Sequence, residues 1–326
     1  MKQRVLGKLG WSVSEIGFGS WALGSNWGPQ NDEDSVQAIQ RALDLGCNFI
    51  DTARAYGDGR SERIIARALK GRPKGSVYVA TKVPPVLPGD WPPGPYDSIE
   101  QRYPEAHIRT MVDNSLRDLE TDCLDLIQIH TWSRAWNRNA SAFEVLRALK
   151  KEGKVNGIGI STPEHDQNAV IDLMRAGLLD TVQVIYNVFS QEAQEGLFAE
   201  AVEHGIGVIV RVAFDESSLT GKLTESTAFP EGDIRGNYFA GDRLPRTVRR
   251  VKAIEAAIAG EEPDTATAAL KFALKPAAVS TVIAGIRNPW QAERNCAVGD
   301  MPPMSGELEA RLRTHYWRRA FWHAGK

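Results

Sequence analysis

The feature that most constrains the fold is a regular alternation of short apolar runs with longer amphipathic segments. The runs are rich in β-branched residues and nearly continuous, as is typical of parallel strands covered on both faces. They lie at residues 16–18, 49–51, 77–82, 124–130, 157–161, 182–186, 207–212 and 281–284, and a segment with helical spacing follows each. Eight such units in 326 residues, without a break in composition, predict a single α/β domain over residues 1–326, a (β/α)8 TIM barrel.

An open, doubly wound sheet is the alternative fold, but it usually needs fewer strands or a second domain. Residues 17–22 match the dinucleotide pattern G-x-G-x-x-A directly after a strand. That fingerprint needs a helix to begin within the motif, so that its N-terminus faces the pyrophosphate. Here loop residues follow and helical spacing begins only near Asp32, which argues against a Rossmann fold.

Four regions lie outside the repeating units. Residues 5–13, with Gly7 and Gly10 flanking a turn, predict a hairpin before the first barrel strand. Residues 83–104, which hold seven of the 17 prolines, and residues 214–241 exceed ordinary loop length. Both follow a strand and therefore belong to the C-terminal face, where barrel enzymes carry their sites. The tail from about residue 300 is aromatic and basic, and covering the barrel, closing the pocket and contacting a subunit all stay open as its role.

Composition excludes several classes of partner. The 39 basic and 41 acidic residues leave a net charge of −2, which argues against a general affinity for nucleic acid or anionic lipid. The three cysteines form no C-x-x-C pair, and the six histidines show no H-x-H or H-E-x-x-H spacing, so we expect no metal site. No apolar leader and no apolar run of about 18 residues is found. We therefore predict a soluble, cytoplasmic protein without a membrane or nucleic-acid partner.

Four chemically active side chains fall at the ends of adjacent predicted strands. Asp51 closes the second barrel strand, Lys82 the third and His130 the fourth, while Tyr56 follows Asp51 by five residues. Each has an ordinary structural explanation by itself, because strand-end Asp and His side chains often bond backbone and a Lys there reaches solvent. The carboxyl ends of barrel strands share one rim, so we expect the four groups to converge.

These four groups suit proton transfer to a carbonyl oxygen. A free tyrosine has a pKa near ~10, too high for easy donation at neutral pH. A nearby ammonium stabilises the phenolate and lowers that pKa, while a carboxylate holds the ammonium charged and in place. An imidazole can orient the substrate oxygen. None of the four is a strong nucleophile, which argues against a hydrolase.

Several motifs in the same order along the chain resemble the aldo-keto reductase superfamily over roughly residues 4–300. They are residues 49–57 with Asp51 and Tyr56, Lys82, His130 and residues 155–161, 182–187, 219–222 and 285–291. The resemblance implies a TIM barrel that binds NADPH or NADH without a Rossmann fold. It implies reduction of aldehydes or ketones, or the reverse oxidation, with Tyr56 as general acid. Lys82 and Asp51 would tune Tyr56, and His130 would orient the carbonyl.

The resemblance also implies a set of cofactor contacts after several barrel strands. They run from the nicotinamide to the adenosine end: Ser20, Trp21, Asp51, Ser161, Gln183, Leu219, Gly221, Lys222, Gly285, Arg287, Gln291 and Asn295. Ser161 and Gln183 would hold the carboxamide, and residues 219–222 would cover the pyrophosphate. Arg287, beside the helix start at Pro289, would pair a 2′-phosphate and so favours NADPH, with NADH open.

The chain departs from the family pattern at three cofactor positions. Thr162 stands where members often have Asn, and Arg211 stands where an aromatic ring commonly stacks on the nicotinamide. A guanidinium plane can stack too, and Tyr186 is another candidate for that role. Gln291 replaces an Arg that many members use for the 2′-phosphate, which leaves that role to Arg287 or Arg294.

Five of the nine tryptophans lie on loops expected at the mouth of the barrel. They are Trp21, Trp27, Trp91, Trp132 and Trp136. They predict a flat-walled pocket for an aromatic, polycyclic or sugar substrate, and the alternative is that they clamp the loops together. A second function on the same fold is a nucleotide-binding regulatory protein, as in potassium-channel beta subunits. The intact set of four groups favours the enzyme and leaves substrate, direction and oligomeric state open.

Overall fold

A computed structural model of the chain describes residues 1–24, 27–87, 89, 91, 93–94, 96–319 and 321. The end of the aromatic tail, including Trp322, lies outside the described residues. The strands in this part of the chain are β1 (Gln3–Leu6), β2 (Trp11–Ser14), β3 (Ile16–Gly19), β4 (Phe49–Asp51), β5 (Tyr78–Val83), β6 (Leu124–Ile129), β7 (Val155–Ser161), β8 (Thr181–Ile185), β9 (Gly207–Arg211) and β10 (Val279–Gly285).

Helices follow the strands and form the outer layer. They are α1 (Asp32–Asp44), α2 (Arg60–Leu69), α3 (Ile99–Arg102), α4 (Glu105–Asp118), α5 (Ser141–Lys151), α6 (Ile171–Arg175), α7 (Leu197–Glu203), α8 (Ile234–Tyr238), α9 (Arg243–Ile258), α10 (Thr265–Leu274), α11 (Pro289–Ala297) and α12 (Gly306–Arg313). Amphipathic spacing explains this layer, since α1 buries Val36, Ile39 and Leu43 against the barrel. Among the described residues, no helix combines the length and the apolar character needed to cross a bilayer.

The central sheet is a closed parallel barrel of eight strands. Strands β3 to β10 pair in chain order, and β10 pairs with β3 to close the ring. The register places Asp51 of β4 beside Gly19 of β3 and Ala80 of β5. The predicted (β/α)8 barrel is therefore confirmed, and the doubly wound alternative is wrong.

The predicted hairpin is confirmed and closes the N-terminal end of the barrel. Strands β1 and β2 pair antiparallel around a tight turn at residues 7–9. Leu6 and Val13 are fully buried in one cluster with Phe49 and Leu126 of the barrel interior. Burying a side chain of this kind contributes ~1.5–3 kcal/mol. Because the hairpin covers this end, we expect ligands to enter from the C-terminal face.

Replacing Gly7 with alanine is expected to lower the free energy of unfolding by ~3 kcal/mol. Gly7 has φ +48°, and a Cβ there would lie 2.2 Å from the backbone nitrogen of Gly207. The matched control is Gly10→Ala, because Gly10 has φ +70° but no atom within 4 Å of the added Cβ. It should cost only ~1 kcal/mol, the strain of a left-handed backbone. Urea denaturation of both variants measures the difference, and equal losses would contradict this account of the hairpin.

The described part of the tail packs against the barrel. The backbone nitrogen of Trp317 donates to the Phe189 carbonyl at 2.9 Å, and the two rings meet edge to face. The Arg319 side chain is 6% exposed and pairs with Asp215 in the long loop after β9. The described tail residues thus contact the segments after β8 and β9, and the Trp317 ring also meets Arg246 and Arg250 of α9.

Candidate active site

The structure brings the four predicted catalytic groups together at the C-terminal rim. The Lys82 ammonium donates to Asp51 Oδ2 at 2.6 Å, to the Thr52 carbonyl at 2.8 Å and to the Tyr56 hydroxyl at 3.2 Å. The rings of Tyr56 and His130 meet edge to face with centroids 5.7 Å apart. Because β4, β5 and β6 are adjacent, their strand ends supply three of the groups, and the loop after β4 supplies the fourth.

Asp51 is saturated by donors from the barrel interior. Its Oδ2 accepts from Lys82, while Oδ1 accepts from Gln183 at 2.6 Å and from Gln128 at 3.4 Å. Only 2% of Asp51 is exposed. Burying a carboxylate costs free energy unless donors meet its oxygens, and these three contacts supply them. Gln183, predicted to hold a carboxamide, therefore has an additional role in fixing Asp51, and Gln128 was not among the predicted site residues.

The loop that carries Tyr56 is held by contacts that sequence analysis missed. Arg54 pairs with the fully buried Glu62 at 3.3 Å and, by a shorter contact, with Asp118. The backbone at Gly24 packs closely against the backbone of Tyr56. A Cβ at residue 24 would lie 2.6 Å from the Tyr56 carbonyl carbon, so only glycine allows this approach. No sequence signal distinguishes Arg54 from an ordinary surface arginine, because its buried acidic partners Glu62 and Asp118 come from α2 and α4.

Burial sets the protonation of the site and corrects one expectation. The pKa of Tyr56 lies well above its ordinary value, because burial and the charge of Asp51 outweigh the opposing charge of Arg211. The expected net lowering of the Tyr56 pKa is therefore wrong for this structure. Burial also lowers the pKa of Lys82, against the raising effect of Asp51. The pKa of His130 falls well below its usual range through burial and the nearby cations Lys82 and Arg211. At neutral pH the site holds a neutral phenol and a neutral imidazole.

The residues predicted for the nicotinamide end lie at neighbouring strand ends. Ser161 closes β7 and is buried, and Ser20, directly after β3, bonds the Ser61 hydroxyl at 2.8 Å. The Thr162 hydroxyl donates to Gln167 at 2.6 Å, and its carbonyl accepts from Arg211 Nη2 at 2.9 Å. The Arg211 side chain therefore extends along the rim from the end of β9 to Thr162 after β7. We predicted Arg211 beside the nicotinamide, and this position is compatible with that prediction.

Tyr186 does not reach the rim. Its ring is fully buried and packs on Phe198 of α7 and Phe272 of α10, between the sheet and the helix layer. The prediction that it stacks on the nicotinamide is wrong, because the residue after β8 faces outward from the barrel.

The adenosine end has the expected helix start. Helix α11 begins at Pro289, and the Asn288 side chain caps it by accepting from Gln291 N at 2.9 Å. Arg287 lies just before this cap and donates from Nε to Gln30 Oε1 at 2.8 Å. Arg294 pairs with Asp264 instead. Of the two arginines predicted for a 2′-phosphate, Arg287 is thus the one without a carboxylate partner among the described residues.

The remaining predicted cofactor residues lie near these elements. Asn295 of α11 donates to the Gly285 carbonyl at 3.4 Å. Gly221 has φ +72°, and Leu219 is fully buried beneath the loop after β9. The Lys222 ammonium lies 4.6 Å from the centre of the Trp290 ring in α11. This contact links the loop predicted to cover the pyrophosphate with the helix at the adenosine end.

Three of the five predicted pocket tryptophans surround the mouth. Trp21 lies over the Tyr56 ring at 6.3 Å between centroids and meets Trp27 at 5.3 Å. Trp91 meets the His130 ring edge to face at 4.9 Å. These aromatic faces form the walls above Tyr56 and His130.

Trp132 and Trp136 belong to the core and not to the pocket. Trp132 is fully buried against Trp136 and Phe143 of α5. The indole nitrogen of Trp136 donates to the Asp97 carbonyl at 2.6 Å. The pocket assignment is wrong for these two, and the alternative of loop clamping is correct, because the chain turns inward after His130.

The loop after β9 has an unusual backbone that sequence analysis missed. Asp215, Glu216 and Ser217 have φ of 46°, 52° and 78°, and Val212 has 57°, although none is glycine. Glu216 is 4% exposed, and burial together with the charge of Asp215 raises its pKa to about 8. Strained backbone of this kind clusters at ligand sites. Only a structure shows it, because no glycine marks these positions in the sequence.

The fold and the rim define a class: a barrel oxidoreductase that acts on carbonyl groups. Residues 15–316 match the model of the Aldo/keto reductase family, and the chain belongs to this family. Its members use NADPH or NADH, as the sequence predicted. The predicted resemblance and the predicted oxidoreductase class are confirmed.

Individual relatives cover most of the chain. Aldo-keto reductase YhdN of Bacillus subtilis (strain 168) is 34% identical over 257 residues, which is 78% of this chain and 74% of the relative. The NADH-specific methylglyoxal reductase of Escherichia coli (strain K12) is 28% identical and spans 91% and 93% of the two chains. The solved structure of the glycerol dehydrogenase AKR11B4 from Gluconobacter oxydans superposes with a TM-score of 0.79 at 25% identity, covering 96% and 94%.

Proposed function

We propose that this protein reduces an aldehyde or ketone to an alcohol, or oxidises the alcohol in reverse, with Tyr56 as the general acid. The observation that carries the proposal is the contact of Lys82 with both Asp51 and the Tyr56 hydroxyl. A reducible carbonyl above this hydroxyl needs one proton on its oxygen, and the raised pKa keeps that proton on Tyr56 at neutral pH.

The chain's own residues account for the proton transfer. A reduced nicotinamide held beside Ser161 and Gln183 would be the source of the hydride. Tyr56 gives its hydroxyl proton to the carbonyl oxygen, and the Lys82 ammonium stabilises the phenolate that forms. The neutral imidazole of His130 orients the same oxygen by a hydrogen bond. The phenolate then regains a proton from solvent, which restores the starting state.

The described residues fit a nicotinamide nucleotide. The Ser161 hydroxyl and the Gln183 amide lie beside Asp51 at the rim. The capped start of α11 offers backbone N–H groups. The Nδ1 atom of His130 is buried without a partner among the described residues, as expected for a group that a bound carbonyl compound completes. Steady-state assays of an aldehyde and ketone panel with NADPH and NADH test the proposal, and binding without any turnover would favour the regulatory alternative.

We propose NADPH as the preferred cofactor, with Arg287 on the 2′-phosphate. Removing one charge-assisted contact of this type costs ~1.5–3 kcal/mol, or ~10–100-fold in affinity. Arg287→Met should therefore weaken NADPH binding by that factor and change NADH binding little, measured by tryptophan fluorescence. Arg294→Met is the matched control, since Asp264 already neutralises Arg294, and it should leave the NADPH/NADH ratio unchanged. Equal effects of the two variants would contradict the assignment.

Other expectations from the sequence stay predictions. They are the single domain over residues 1–326, the cytoplasmic location and the lack of nucleic-acid, membrane and metal partners.

Among the described residues, one cluster near the end of α7 has the side chains and spacing that could hold a metal ion. It consists of Glu200, Glu203 and His204, and it does not include any of the four rim groups.

A further inference from the structure

One carboxylate stands among the aromatic walls of the mouth. Glu164 lies three residues beyond the end of β7, and 11% of its side chain is exposed. Its Oε1 accepts from the Trp91 indole nitrogen at 3.3 Å and lies 3.7 Å from Arg211 Nη2. Glu164 is therefore fixed between two residues that border the mouth, and neither contact uses its second oxygen.

Two polar atoms of this pair lack partners. Glu164 Oε2 and Arg211 Nε are both buried, and neither has a hydrogen-bond partner among the described residues. Leaving a buried acceptor and a buried donor unmet costs free energy that a suitable ligand recovers. A hydroxyl is the simple group that both donates to a carboxylate and accepts from a guanidinium. A ligand carboxylate would meet the negative charge of Glu164, so a neutral ligand fits better.

The pair lies close to the reacting groups. The Trp91 indole donates to Glu164, and its ring meets the His130 ring with centroids 4.9 Å apart. The His130 ring in turn meets the Tyr56 ring edge to face. The charges of Glu164 and Arg211 also act on Tyr56 with opposite signs. A substrate hydroxyl bonded to Glu164 would therefore lie near the carbonyl above Tyr56.

We propose that Glu164 determines specificity by accepting a hydrogen bond from a hydroxyl near the substrate carbonyl, so that neutral hydroxylated aldehydes and ketones are preferred. This inference rests on the proposed carbonyl reduction. It narrows the substrate classes that the aromatic walls allow, because an unsubstituted aromatic or aliphatic aldehyde leaves Glu164 Oε2 unmet. Sites that bond a substrate hydroxyl discriminate strongly against analogues that lack it.

The test uses substrate pairs that differ only by a hydroxyl in place of a methyl group. These are glycolaldehyde against propanal and hydroxyacetone against butanone, assayed by kcat/KM with NADPH and NADH. The wild type should prefer the hydroxylated member, and Glu164→Ala should lower that preference ~10–100-fold. Glu164→Gln, which keeps the shape and one acceptor, should lower it less. The intrinsic reactivity of the substrates cancels, because the ratio of kcat/KM for the two members of a pair is compared between variants.

The outcomes separate this inference from the proposed function. A wild type that reduces none of the four compounds overturns both. If Glu164→Ala turns over the substrates with the wild-type ratio of kcat/KM between the hydroxylated and the methyl compound, the role of Glu164 alone is overturned. An equal loss on both members of each pair shows a merely structural role and also overturns it. The matched control is Asp166→Asn in the same loop, whose carboxylate pairs with Arg134, and it should keep the wild-type ratio.

Discussion

Replacing Tyr56 with phenylalanine is expected to lower kcat by ~10²–10⁴-fold, the range that a positioned general acid contributes. The variant keeps the ring that stacks under Trp21 and edge-on to His130, and it removes only the hydroxyl that contacts Lys82. Cofactor affinity should therefore stay within about twofold of wild type. Steady-state reduction of a carbonyl substrate measures the first quantity, and tryptophan fluorescence titration measures the second.

Tyr78→Phe is the matched control for this variant. The Tyr78 ring stacks on Trp11 with centroids 4.6 Å apart, in the hairpin that closes the opposite end of the barrel. Tyr78→Phe also removes one phenolic hydroxyl, and it should leave kcat unchanged. Turnover in Tyr56→Phe that matches this control would overturn Tyr56 as the proton donor.

Replacing Lys82 with methionine is expected to lower the free energy of unfolding by ~3–5 kcal/mol, the cost of breaking a buried ion pair from one side. Lys82 and Asp51 are almost fully buried and 2.6 Å apart. Without the ammonium, the donors to Asp51 among the described residues are the neutral amides of Gln183 and Gln128. Turnover should fall together with stability, because the phenolate of Tyr56 loses its cation. Urea denaturation and steady-state assays measure the two effects.

The double variant Lys82→Met with Asp51→Asn separates stability from catalysis. It removes both charges of the pair, so most of the lost stability should return. Turnover should stay as low as in Lys82→Met, because neither substitution restores the Lys82 cation beside Tyr56. A double variant as unstable as Lys82→Met would show that Asp51 is not the source of the penalty.

The barrel could be predicted because its physical cause is local and repeated. Each unit has a strand covered on both faces and a helix with one apolar face, and both leave a period in the sequence. The rim residues Asp51, Lys82 and His130 follow from the same pattern, since parallel strands in a closed ring end at one face. Position along a strand was thus enough to bring them together.

The errors arise where side-chain direction or burial decides the outcome. Tyr186 and Trp132 lie just after barrel strands, much as Arg211 ends one and Trp91 follows another, but their rings face the helix layer and the core. The pKa of Tyr56 depends on how deeply its hydroxyl is buried, which no spacing shows. The Arg54 network joins residues from three elements and leaves no periodic signal.

Asp51 and Lys82 stand on barrel strands, whereas Trp91 and Glu164 stand on connections between elements. Connections tolerate change in length and sequence far better than paired strands do. New substrate preferences are therefore best sought by exchanging the segments around residues 84–97 and 163–168 while the strands are kept. Libraries confined to those segments should yield catalysts that differ in what they accept and still transfer hydride by the same route.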